Sequence, residues 1–108
     1  MSQNRLEHDE QRFATPTIER EVAGPRQQAG LLLWAPRSEE LLWDLEREVA
    51  SARREWVEER QAWWIAASYY ETIVALVLRT FPSVLVLGTD EDRLLSRDGY
   101  EALQGRLL

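Results

Sequence analysis

The chain has 108 residues, a formal net charge of −6, no Cys, a single His and thirteen basic residues that are all Arg. That length suits one small domain, and the negative balance argues against broad electrostatic binding to nucleic acid. The lack of Cys excludes disulfides, thiolate zinc sites and cysteine nucleophiles.

Residues 1–30 are polar and mixed in charge, with Leu6, Phe13, Ile18 and Val22 as the only sizeable apolar groups. Such a segment buries too little surface to offset the entropy of ordering, so a mostly disordered tail is expected there. Phe13, Ile18 and Val22 are the candidate partner-binding residues within it, as a short docking segment that orders on contact. The first residues, Met1 to Arg5, lack the apolar run of a secretory signal, which points to a cytoplasmic protein.

A single domain is expected over 31–108. It opens with Leu31-Leu32-Leu33-Trp34, which reads as a short strand closed by Pro36. Ser38 then offers a helix cap, with Glu39 and Glu40 in the first turn where the helix dipole favours negative charge. From Leu41 the apolar positions recur at spacings of three and four, without Gly or Pro, as far as Thr80-Phe81-Pro82. This pattern predicts one long central helix over about 38–80.

As one straight rod that helix would span about 64 Å at 1.5 Å per residue, about twice the width of a compact domain of this size. A projecting, coiled-coil-like portion is therefore expected. Its seam runs through Leu42, Leu45, Val49, Ala52 and Trp56, and continues through Trp63, Ala66, Tyr70, Ile73 and Val77. With Leu42, Val49 and Trp56 at the a positions, Glu48 and Glu55 fall at g while Arg53 and Arg60 fall at the following e. Those charges favour a parallel homodimer, with Glu48 facing Arg53 and Glu55 facing Arg60 across the seam. Each such pair contributes only about 0.3–0.5 kcal/mol and so selects orientation. Glu59 at a d site and Trp at a sites fit a simple zipper poorly, and residues 62–80 are apolar nearly all round. The second half of the helix is accordingly expected to sit inside a small globular head.

Cover for that head is expected from a C-terminal β-hairpin, about 84–87 and 93–96, turning at Gly88-Thr89-Asp90-Glu91-Asp92. Asp98-Gly99-Tyr100-Glu101 resembles a capping box that opens a short terminal helix through Leu107. The expected fold class is thus α+β and mostly helical.

Candidate chemistry is sparse. His8, the only imidazole, falls in the expected tail. Asp90, Glu91, Asp92 and Asp98 lack the glycine and distal glutamate of an EF-hand loop and read as a solvated turn. Glu71 stands alone in an apolar stretch, without a second acid, and is expected to pair with Arg79 or face water. No phosphate-binding glycine loop, nucleophile elbow or metal-ligand set is present. No catalytic residue, cofactor or metal is expected.

The function expected from these residues is that of a non-enzymatic, oligomeric adaptor or assembly protein that engages a larger protein. An alternative is a nucleic-acid-associated regulator using Arg53, Arg54, Arg60 and Arg79 beside Trp56 and Trp63. A second is an acidic inhibitor that occupies a DNA-binding site on a host protein. Ala62–Phe81 has the length of a membrane span, but Glu71 at its centre argues against insertion, so no membrane partner is expected.

Overall fold

The middle of the chain folds as a strand pair between two short helices and not as one long helix. The computed structural model describes residues 15–88 and 91–99. Over those residues the chain forms six strands and two α-helices: β1 (Thr17–Arg20), β2 (Gly30–Trp34), α1 (Glu39–Glu48), β3 (Arg54–Val57), β4 (Ala62–Ala66), α2 (Tyr70–Thr80), β5 (Ser83–Leu87) and β6 (Arg93–Ser96). The strands build one mixed sheet in the order β3-β4-β2-β1-β5-β6. All neighbours are antiparallel except β1 and β5, which run parallel.

The expected long central helix is overturned, and with it the mostly helical fold and the projecting coiled-coil seam. Helix α1 starts as its residues imply: Ser38 Oγ accepts a hydrogen bond from the Leu41 amide at 3.2 Å. It stops at Glu48, and Val49 already has an extended backbone. Arg54-Glu55-Trp56-Val57 and Ala62-Trp63-Trp64-Ile65-Ala66 then pair as an antiparallel hairpin. These stretches are rich in Trp, Val and Ile, side chains that fit a pleated surface better than a helix. The hairpin turns through Glu58–Arg60 and Gln61, whose φ of 51° lies in the left-handed region. Gln61 Nε2 donates to the Glu58 carbonyl at 2.8 Å and holds that turn.

Residues 15–30 are also corrected. They do not form a disordered tail, because β1 lies inside the sheet between β2 and β5. Ile18 is fully buried, so it is core and not a docking residue. Of the expected tail, Phe13 and His8 lie outside the described residues. The strands Ser83–Leu87 and Arg93–Ser96 pair where a hairpin is expected, but β5 also pairs with β1, so the pair forms one edge of the large sheet. Residues 97–99 are helical where the terminal helix is expected to open, and the rest of that helix lies outside the described residues.

Both helices cover one face of the sheet. Leu41, Leu45 and Val49 from α1 and the chain beyond it join Ile73, Val74, Leu76, Val77 and Leu78 from α2. They pack on Ile18, Leu31, Leu33, Ile65, Val84 and Val86 in one core. The opposite face is covered only in part. There Leu32, Ala62, Trp64 and Ala66 form a second, smaller core against Val22, Val57 and Tyr69. Trp64 organises it: its indole Nε1 donates to the Val22 carbonyl at 2.9 Å. Two glycines admit the ring, since a Cβ on Gly24 or Gly30 would lie 2.0 or 2.3 Å from indole atoms.

The helical layer is tied to the sheet at both ends of α2. The Arg20 guanidinium sits 4.2 Å from the centre of the Tyr70 ring, joining β1 to the start of α2. At the other end of α2, Arg97 Nε donates to the Leu78 carbonyl at 2.6 Å, satisfying one of the unpaired carbonyls of the last turn.

Candidate functional site

The residues of the expected seam are dispersed by the fold. Leu45 and Val49 are buried in the protein's own core, while Leu42 lies on the outward side of α1 and is 39% exposed. Ala52 and Arg53 sit in an exposed turn before β3. Trp56 lies on β3 at the sheet edge, and Glu55, its neighbour, points to the opposite face. None of the expected cross-seam ion pairs can form along one helix face. Glu48 instead accepts from Arg79 Nη1 at 2.7 Å, and Arg60 Nη2 donates to Glu19 at 3.1 Å. Glu71 is exposed and does not take Arg79.

The arginines that might have formed a nucleic-acid surface are similarly occupied. Arg54 donates through Nε to the Val49 carbonyl at 3.1 Å and lies 5.9 Å from the centre of the Trp63 ring. Arg79 is raised above its ordinary basic value, first by the hydrogen bond from its side chain to Glu48. With Arg60 on Glu19, three of the four arginines of that alternative already have partners within the chain.

Hollows on the surface of the described residues include the following pair. One, of about 370 Å³, lies on the partly covered face between the loop at Val22–Pro25 and Leu32, Val57 and Trp64, with Glu55 and Arg60 at its rim. Its lining is mainly apolar, with the Glu55 carboxylate and the Arg60 guanidinium as its charged groups. The other, about 400 Å³, is bounded by Glu39, Glu40, Trp43 and Asp44 on the outward side of α1. No polar or charged side chain is buried among the described residues. No group of three or more His, Asp or Glu side chains converges among the described residues as a metal site would require.

What stands out instead is exposed apolar surface. Trp43 is 73% exposed beside Leu42, on the side of α1 that also carries Glu39, Glu40 and Glu46. Its position was visible in the sequence, because it falls outside the buried stripe of Leu41, Leu45 and Val49 and among charged residues. Leu94 on β6 and Trp34 at the end of β2 are also exposed. No helix among the described residues is long and apolar enough to cross a membrane, and Ala62–Phe81 is split between β4 and α2. The chain matches no protein-family model, and neither a curated protein nor a solved structure is detectably similar to it.

Proposed function

We propose that this protein is a non-enzymatic adaptor or assembly protein that binds another protein through the outward side of α1. The observation that carries the reading is Trp43, held with most of its indole in water on a helix fixed by the buried Leu41 and Leu45. A large aromatic on a rigid helix loses little entropy on binding, and Trp is enriched among the residues that dominate interface energies. Covering Trp43 and Leu42 together would contribute on the order of 3–5 kcal/mol at about 25 cal/mol per Å². Glu39, Glu40 and Glu46 around them favour a partner surface with basic residues at its rim.

The test is a photo-crosslinking residue placed at position 43 of the full chain and illuminated in the native host. The expected result is one discrete protein adduct that is missing when the same residue replaces Glu71, on the exposed side of α2. Equal labelling at both positions, or none at position 43, overturns the reading.

A further inference from the structure

We propose that two copies of this chain join through β6, antiparallel, with Leu94 of one copy opposite Leu94 of the other. This interface is separate from the outward side of α1 and stands on different observations.

The sheet ends in two edges, β3 and β6. Strand β3 is flanked on both sides by 3-10 turns, and charged Arg54 and Glu55 make up half of it, which are devices that blunt strand addition. Strand β6 instead carries Leu94-Leu95 at its centre, and no strand among the described residues pairs with its outer side. Leu95 turns towards the helices and joins their core, whereas Leu94 is 66% exposed on the other face. In the register of the sheet, Leu94 stands opposite Leu85, Leu85 opposite Thr17, and Thr17 opposite Trp34. One row thus runs across four strands on the face without helices and stops at the β6 edge with its most exposed member. A second β6 continues it.

Charge complementarity selects the register. Directly opposed residues of an antiparallel pair share a face, so a two-fold axis normal to the sheet must pass through one residue of β6. Centred on Arg93, the pairing sets Arg93 against its own copy. Centred on Leu95, it brings Arg93 to the end of the partner strand, where the backbone has already turned helical at Arg97, and leaves Leu94 across from Ser96. Centred on Ser96, it leaves Leu94 beyond the end of the partner strand. Centred on Leu94, it joins the two leucines and places Arg93 across from Leu95, so this arrangement alone extends the apolar row without opposing like charges.

The chain's lack of Cys makes the test clean. Full-length Leu94→Cys, under mild oxidation, should give a disulfide-linked dimer at least roughly tenfold faster than Ser96→Cys or Glu71→Cys, because only position 94 meets its own copy closely. Wild-type protein should sediment as a dimer at roughly 100 µM, and Leu94→Glu as a monomer with an unchanged circular dichroism spectrum. A wild type that stays monomeric, a dimer that survives Leu94→Glu, or equal crosslinking at positions 94, 96 and 71 would each overturn the proposal.

Discussion

Trp56 and Trp63 face each other across the β3–β4 hairpin, their ring centres 5.4 Å apart and their planes at 69°, edge to face. Such a contact is worth about 0.5–1.5 kcal/mol beyond the area it buries. A double-mutant cycle of Trp56→Leu and Trp63→Leu, followed by urea unfolding, should return a coupling energy in that range. A coupling near zero would mean that the hairpin pairs differently.

Leu42 and Leu45 are equivalent in a seam and opposite in this fold. Leu45→Ala should cost about 2–5 kcal/mol, since it leaves a cavity among the side chains of both helices. Leu42→Ala, at a largely solvated position, should cost under about 1 kcal/mol. Equal losses in denaturant titrations would contradict the short helix.

The seat of Trp64 allows no methyl group on either flanking glycine. Gly30→Ala forces the indole away from the Val22 carbonyl, and the strain together with the lost hydrogen bond should destabilise the protein by about 2–4 kcal/mol. Adding Trp64→Leu to Gly30→Ala removes the clash, so the double variant should be more stable than the two single losses sum to. Thermal melts of the four proteins decide this.

The pair of Arg79 and Glu48 should leave little trace in the pH dependence of stability. A base raised on folding contributes fully below its unfolded value and loses that contribution only as pH rises through the folded one, which for Arg79 is far into alkali. With both side chains partly solvated, Arg79→Met should cost at most about 1 kcal/mol, and the same at pH about 6 as at about 9. A difference that grows across this window would show that Arg79 is coupled to another titrating group.

Some elements were readable because a local signal decides them. Leu31 to Trp34 form a strand, Ser38 with Glu39 and Glu40 starts a helix, and Phe81-Pro82 ends one. The middle was misread because Trp56 and Trp63 are seven residues apart, a distance that satisfies a heptad and also a hairpin with a four-residue turn. Arg54-Glu55-Trp56-Val57 shows no alternation of polar and apolar residues to favour the second, so the longer pattern of threes and fours prevails. Ala62–Ala66 and Tyr70–Thr80 are both apolar nearly all round, so periodicity could not separate a buried strand from the buried helix that follows it. Thr17–Arg20 offers one apolar side chain, Ile18. Its burial depends on β2 and β5, which no local window contains. Of the surface proposed for binding, Leu42 was singled out for the wrong reason, as part of a seam, while Trp43 was legible as an aromatic on a polar helix face.

The place of β1 shapes how the chain is made. Its antiparallel neighbour follows soon after it, but its parallel neighbour, β5, is made only after β2, β3, β4 and both helices. A nascent polypeptide that has not yet reached Leu87 therefore holds β1 with one bare side and α2 without part of its floor. A central strand that waits for β5 makes the half-built intermediate a natural client for chaperones, and predicts that fragments ending before Ser83 accumulate as aggregates instead of stable subdomains.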